Sequence, residues 1–173
     1  MIFLAPAELA SANLDAITSH RGMTVAFAAG ELRGRAAAAA LHCDWLAMEA
    51  NAAITLDSAA AWSGAIGRIG ARAYRLHLLG SATLDAREAV REGLADALVP
   101  ARGDPVEWFA GWIGGRSTRA LDAAAALIRG RGGDVTERFE FARLFATGQP
   151  QEGLAAFLEK RRPDWTLDEP KRD

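Results

Sequence analysis

The sequence predicts an α/β protein whose C-terminal third is helical. Two apolar runs, Ile2-Phe3-Leu4 and Thr24 to Ala28, have the composition of buried strands, and each precedes a helical segment. From Ala71 onward, helical patterns dominate the sequence. A chain of 173 residues with 50% hydrophobic residues can bury a core of its own. We therefore expect an α/β core over residues 1–100 and a helical region over residues 101–173.

The N-terminal half reads as an alternation of strands and helices. Pro6 suits the first turn of a helix that we expect to run to about His20, because proline is favoured there. Arg35 to Leu41 is almost wholly alanine, the strongest helix former, and predicts a second helix. Asp44 to Met48 and Ala52 to Leu56 are the next predicted strands.

Start and stop signals mark the later elements. Asp85 followed by Glu88 predicts a capping box for a helix that ends at Gly93. Acidic caps and prolines in the first turn predict further helices, and a short strand is expected before them. The strand is Leu98-Val99, and the helices begin near Asp104-Pro105, Asp134 and Gln149-Pro150.

Composition excludes several classes of function. The formal net charge of −2 and the pI of about 5.9 argue against nucleic-acid binding, which needs a basic surface. With Cys43 as its single cysteine, the chain has no internal disulfide framework, and its histidines are not at metal-ligand spacing, so we expect no metal. Apolar runs are too short to span a membrane. We expect a soluble, cytoplasmic protein.

Three stretches, in order, resemble the enoyl-CoA hydratase/isomerase (crotonase) family. They are Thr24–Ile54, Arg68–Pro100 with DAREAVREGLADALV, and Phe141–Trp165 with GLAAFLEKRRPDW. The resemblance implies a truncated crotonase-like ββα spiral core followed by a C-terminal helical, trimer-forming region. Family members are substantially longer at the N-terminus, and the stretch between Leu56 and Arg68 is compressed here.

The resemblance also implies a site in which backbone N–H groups polarise a thioester carbonyl, one of them at the start of a helix. The matching turn is Gly34-Arg35, with the Arg35 amide as donor. The Arg35 side chain would either fold away or obstruct the turn, and obstruction or a changed ligand is the favoured alternative. Ala38 stands where the family carries a catalytic glutamate, and alanine cannot transfer a proton.

A second family glutamate falls near Asp57 and Ser58. Asp57 could serve as a general base or nucleophile, whereas the favoured alternative is that both residues end a strand and cap a helix. Near the C-terminus, Phe157, Lys160 and Arg161 match a region that contacts coenzyme A, through stacking and phosphate attraction. The alternative is an amphipathic helix with a solvated, charged end.

Two functions follow. The first is an enzyme or binding protein for acyl-CoA thioesters, with coenzyme A as part of its ligand and no separate cofactor. The second is a non-catalytic subunit or scaffold that pairs with itself or a longer paralogue. Aromatic side chains of the C-terminal helices favour self-association as a homotrimer or hexamer over core packing within one chain. They are Trp108, Phe109, Trp112, Phe139, Phe141 and Phe145.

Overall fold

Two compact units, Met1–Trp112 and Ile113–Asp173, make up the chain. The structure, a computed structural model, describes residues 1–73, 75, 83–100, 104–130 and 134–165. The first unit contains all seven described strands: β1 (Ile2–Leu4), β2 (Thr24–Ala28), β3 (Glu31–Leu32), β4 (Trp45–Glu49), β5 (Ala53–Thr55), β6 (Thr83–Asp85) and β7 (Ala97–Val99). Its described helices are α1 (Pro6–Leu9), α2 (Leu14–Ser19), α3 (Gly34–His42), α4 (Ala59–Ile69), α5 (Ala86–Glu92) and α6 (Pro105–Trp112).

The strands form two sheets. In the larger sheet the order is β1-β2-β4-β7, and every neighbouring pair is parallel. In the smaller sheet the order is β3-β5-β6, with β3 parallel and β6 antiparallel to β5. Parallel strands need crossover connections, and helices α1 to α5 lie in those connections here. The α/β class predicted from the sequence is therefore confirmed.

The two faces of the larger sheet are buried differently. Phe3, Val25 and Trp45 are registered neighbours, so their side chains share one face. Phe109 of α6 covers that face, with its ring centroid 5.7 Å from Phe3 and 4.8 Å from Trp45. The other face carries residues such as Leu46, which belong to the hydrophobic core together with the alanines of α3. Both faces are therefore shielded from water.

Helices α3 and α4 pack against each other very closely. A Cβ added at Gly64 of α4 would lie 2.6 Å from the Leu41 Cβ and 3.0 Å from Nδ1 of His42. Only glycine allows this approach, which holds α3 between the sheet and α4. The sequence predicts a helix cap at Asp57 and Ser58, where α4 begins, but not the extent of α4.

Several predicted elements are confirmed with small shifts of boundary. The strand Thr24–Ala28 is found as predicted, and the last helix begins at Gln149. The capping box is present: the Glu88 amide donates to Oδ1 of Asp85 over 2.7 Å, and the Asp85 amide donates to Oε2 of Glu88 over 3.2 Å. Part of the helical pattern after Ala71, residues 76–82, lies outside the described residues.

The predicted continuous helix from Pro6 to His20 is wrong. The chain forms α1 and α2 with a break between them, because Asn13 begins a new helix. Its side-chain oxygen accepts hydrogen bonds from the amides of Asp15 and Ala16, at 2.9 and 3.4 Å. Asparagine is among the strongest N-cap residues, so the apolar spacing that suggested one helix continues across two.

The second unit contains helices α7 (Thr118–Gly130), α8 (Asp134–Phe145) and α9 (Gln149–Leu158). Inside this unit the side chains of Ser117 and Gln149 are buried and hydrogen-bonded to each other. After α9 the chain folds back, and the Trp165 indole N–H donates to the Gly115 carbonyl over 3.0 Å. The predicted helical character of this part of the chain is confirmed.

Candidate functional site

The turn that begins α3 contains a side-chain contact from a distant part of the sequence. Gly34 has a positive φ of 52°, and the preceding Arg33 provides no side-chain cap. Instead, the Gly34 amide donates to Oδ1 of Asp57 over 2.8 Å. Asp57 lies in the loop between β5 and α4, so the smaller sheet positions it against the turn. The structure thus brings together two residues that the sequence separates by 23 positions.

The amide of Arg35 differs from its neighbours in the same turn. The first N–H groups of a helix have no partner within the helix. Here the Gly34 amide donates to Asp57, and the amides of Ala36 and Ala37 donate to the Arg33 carbonyl. Among the described contacts, the Arg35 amide has no acceptor. This N–H is the one that the family resemblance assigns to the thioester oxygen.

Charged side chains surround the turn. The Arg35 side chain is exposed. Arg33 forms an exposed ion pair with Glu31, over 2.6 Å. The hydrogen bond to Glu31 and its charge, with a smaller contribution from Asp57, raise the pKa of the Arg33 guanidinium above its ordinary value. Both guanidinium and carboxylate groups therefore lie beside the turn.

Ala38 is fully buried inside α3. Its carbonyl oxygen lies 2.8 Å from Nδ1 of His42, which is one turn later. Ala38 belongs to the same hydrophobic core cluster as its neighbouring alanines in α3. The position of the expected glutamate thus carries a methyl group within the core.

The structure gives Ser58 a capping role. Its hydroxyl oxygen accepts a hydrogen bond from the Ala61 amide over 3.2 Å, which caps α4. Asp57 also caps a helix, but it is α3 rather than the helix that follows it. Both contacts agree with the capping alternative. A catalytic role for either residue stays a prediction.

A cluster that sequence reasoning missed holds the other end of α3. The guanidinium of Arg68 donates to the carbonyls of Leu41 and Cys43, at 3.1 and 2.8 Å, and to Oδ2 of Asp96 over 3.0 Å. Asp96 in turn accepts from the Leu46 amide over 2.7 Å. Arg68 therefore joins α4, the C-terminus of α3 and β4. Its position at the end of an apolar helix was the available sequence signal.

Asp44 orients the strand that follows α3. Its carboxylate accepts from the amide and the hydroxyl of Thr24, at 2.7 and 2.8 Å. Thr24 is buried, and its hydroxyl oxygen accepts in turn from the Asp44 amide over 3.0 Å. These reciprocal bonds tie the start of β2 to the end of α3. Cys43, beside Asp44, is a buried core residue.

The three predicted coenzyme A contacts belong to the second unit. Phe157 and Lys160 are exposed, and Lys160 has a positive φ of 54° at the end of α9. The Arg161 guanidinium donates to both carboxylate oxygens of Glu152, at 2.5 and 2.9 Å, and also to Glu159. The bonds from Arg161, and then the Asp164 amide, lower the pKa of Glu152 to about 2. Arg161 thus already has carboxylate partners.

Two other properties of the described residues bear on function. Within the ranges that the structure describes, no group of three or more His, Cys, Asp or Glu side chains could hold a metal ion. No helix found there is long and apolar enough to cross a membrane.

Solved structures identify the fold. The chain is similar to an enoyl-CoA hydratase subunit I from Geobacillus kaustophilus, with a TM-score of 0.73, 25% identity and 87% of this chain covered. An enoyl-CoA hydratase/isomerase family protein from Hyphomonas neptunium gives a TM-score of 0.72, with 26% identity over 87% of this chain. The fold is that of the enoyl-CoA hydratase/isomerase (crotonase) family. DspI of Pseudomonas aeruginosa matches this crotonase fold with a TM-score of 0.70 and 26% identity over 88% of the chain.

The likeness covers only part of these proteins. The chain spans 65% of the Geobacillus protein, 63% of the Hyphomonas protein and 64% of DspI. It is therefore similar to a shortened crotonase, as the resemblance of its three sequence stretches predicts. No family model and no curated protein matches the sequence.

Proposed function

We propose that the chain binds acyl-CoA thioesters at the first turn of α3 and does not catalyse ordinary enoyl-CoA hydration. One observation carries this proposal: the Arg35 amide is the N–H of that turn without a described acceptor. It lies at a helix N-terminus, where the macrodipole favours partial negative charge on a carbonyl oxygen. The carbonyl oxygen of a thioester could accept a hydrogen bond from this N–H group.

The neighbouring groups explain why we expect binding without hydration. Hydration needs a positioned acid or base near the thioester. The Ala38 methyl group is enclosed in the core, and the carboxylate of Asp57 is already held by the Gly34 amide. Asp57 is the one carboxylate that the described contacts place directly on the turn, so residual activity would have to depend on it. The proposed protein is thus a crotonase with a degenerate catalytic site.

The binding proposal is tested by removing a single N–H group. Proline at position 35 lacks the amide hydrogen, and proline is tolerated in the first turn of a helix. We expect crotonyl-CoA to raise the melting temperature of the wild type and of Arg35→Ala, which keeps the N–H, but not of Arg35→Pro. Acetyl-CoA and benzoyl-CoA test the acyl group, and free coenzyme A is the control. An equal rise in Arg35→Pro would contradict the role of this amide.

The catalytic part of the proposal has its own test. We expect no hydration of crotonyl-CoA above the uncatalysed rate. The assay measures the absorbance of its conjugated double bond, which hydration removes. Measurable hydration that disappears in Asp57→Ala would show instead that Asp57 is a working acid or base.

The second candidate function is a non-catalytic subunit that pairs with itself, as a homotrimer or hexamer, or with a longer paralogue. Large apolar side chains of the second unit are exposed, which favours this function. Phe109 does not contribute, because it is buried in the first unit. For either function we propose a cytoplasmic protein, since a single buried cysteine suits a reducing compartment.

A further inference from the structure

The neighbours of Asp57 fix the place where its carboxylate meets the first turn of α3. The strand before it pairs with β3, and beside that pairing the Ala53 amide donates to the Gly30 carbonyl over 2.9 Å. Leu56, directly before Asp57, is buried, and Ser58, directly after it, caps α4. Asp57 itself is exposed. The smaller sheet and α4 therefore hold this carboxylate against the turn from outside the core.

The contact of Asp57 with the Gly34 amide determines which N–H group the turn offers to a ligand. That bond of 2.8 Å occupies the Gly34 amide, and the amides of Ala36 and Ala37 bond to a carbonyl within the chain. Within the described ranges, no acceptor lies on the Arg35 amide. Anions at a helix N-terminus are held by several N–H groups together, whereas a single N–H group suffices for one carbonyl oxygen. With Asp57 in place, the turn is left with one donor.

The charge of Asp57 also balances the charges at the turn. A helix N-terminus favours anions, yet the first turn of α3 has no acidic residue and carries a cation, Arg35. Beside it, Arg33 and Glu31 cancel each other in an ion pair of 2.6 Å. The charge of Asp57 reaches this pair, because it helps to raise the pKa of the Arg33 guanidinium, after the larger effects of the hydrogen bond and charge of Glu31. The two guanidinium and two carboxylate groups together have no net charge.

We propose that Asp57 makes the first turn of α3 selective for the uncharged carbonyl of a thioester over the carboxylate of the free acid. The inference rests on the proposed binding of acyl-CoA at this turn and names the residue that sets its specificity. Acceptors on the neighbouring amides of Gly34 and Arg35 lie roughly 5 Å apart, so a bound carboxylate would face that of Asp57. Repulsion between two unit charges at this distance lowers the affinity about fourfold even at the dielectric constant of water. A neutral carbonyl has no such penalty.

Asparagine at position 57 separates the charge from the hydrogen bond. Its side-chain oxygen can still accept from the Gly34 amide, because asparagine and aspartate cap helices about equally well. The two ligands are crotonate and the crotonyl thioester of N-acetylcysteamine, which has the thioester without the phosphates of coenzyme A. The Arg35 amide signal in the proton–nitrogen correlation spectrum gives each dissociation constant. The specificity ratio is the dissociation constant of crotonate divided by that of the thioester.

We expect Asp57→Asn to lower the specificity ratio at least about fourfold, through tighter binding of crotonate, and to leave the dissociation constant of the thioester within about twofold. Glu107→Gln is the matched control, because Glu107 is an exposed carboxylate in the first turn of α6, on the face of the larger sheet opposite α3. Solvent ions screen a charge at that separation, so the control should leave the ratio within about twofold. Asp57→Ser, which also offers a side-chain oxygen, is a second neutral variant if Asp57→Asn fails to fold.

An unchanged specificity ratio in the neutral variants of Asp57 would overturn the inference, and so would an equal fall of the ratio in Glu107→Gln. Failure of the proposed binding is recognised separately. In that case crotonyl-CoA would raise the melting temperature of Arg35→Pro as much as that of the wild type, or the Arg35 signal would not respond to the thioester. Either result also overturns the inference. An unchanged ratio, with thioester binding lost only in Arg35→Pro, would refute the role of Asp57 alone.

Discussion

Replacing Gly64 by alanine tests the close packing of α3 on α4 that positions the candidate site. The added Cβ would lie 2.6 Å from the Leu41 Cβ, about 1 Å closer than an ordinary carbon–carbon contact. Both atoms are attached directly to helix backbone, so no side-chain rotation relieves the contact and the helices must move apart. Overpacking of this kind costs about 1–3 kcal/mol, and we expect the upper end of that range.

The helix propensity of alanine acts in the opposite direction and has to be separated from the packing effect. Alanine is more favourable than glycine in a helix interior by about 1 kcal/mol. Gly67 lies three residues further along the same helix, and a Cβ there would meet nothing within 4 Å. Gly67→Ala therefore has the propensity gain without the contact, and the difference between the two variants isolates the overpacking.

Urea denaturation followed by circular dichroism measures that difference. We expect Gly64→Ala to lower the free energy of unfolding by about 2 kcal/mol, and Gly67→Ala to raise it by roughly 0.5–1 kcal/mol. The denaturant slopes should agree with that of the wild type, so that both changes can be read as stability. Equal stabilisation by the two alanines would refute the close approach of α3 and α4.

Three further changes test the polar contacts. We expect Arg68→Met to lower the free energy of unfolding by about 2–4 kcal/mol, because it leaves buried acceptors without a donor. The control Arg72→Met removes an exposed ion pair and should lower the free energy of unfolding by less than about 1 kcal/mol. Urea denaturation measures both changes. Asp57→Ala should cost about 1 kcal/mol by removing the cap of α3, and Asp57→Asn should restore most of it in the same assay. The folded-state pKa of Glu152 is lowered to about 2, so the stability from its pair with Arg161 is present above the ordinary glutamate pKa and is lost as pH falls towards 2. The melting temperatures of the wild type and Glu152→Gln should therefore differ at pH 6 and converge as the pH falls from 4.5 towards 2, and a difference independent of pH would contradict this.

Local signals predict much of the fold. The capping box at Asp85 and Glu88 and the strand Thr24–Ala28 are recoverable because each depends on neighbouring residues. The break between α1 and α2 was missed because apolar spacing was weighed above the capping strength of Asn13. The extent of α4 was missed, although Trp62, Ile66 and Ile69 follow the spacing of one helix face and a cap was expected at Asp57 and Ser58.

The candidate site was only partly predictable for a different reason. The family resemblance points to Gly34, Arg35 and Asp57 as separate candidates. Their meeting depends on the parallel pairing of β3 with β5, which places the loop after β5 beside the start of α3. The role of Arg68 was missed because two of its acceptors, the carbonyls of Leu41 and Cys43, are backbone groups that carry no signal in a sequence.

The amide proton of Arg35 provides the most direct test of the central claim, that the first turn of α3 binds a thioester carbonyl. Titration with crotonyl-CoA is followed in the proton–nitrogen correlation spectrum, with free coenzyme A as the control. A new hydrogen bond from this N–H should move its proton signal downfield with crotonyl-CoA and not with free coenzyme A. An Arg35 signal that stays unchanged while crotonyl-CoA binds elsewhere would contradict the claim.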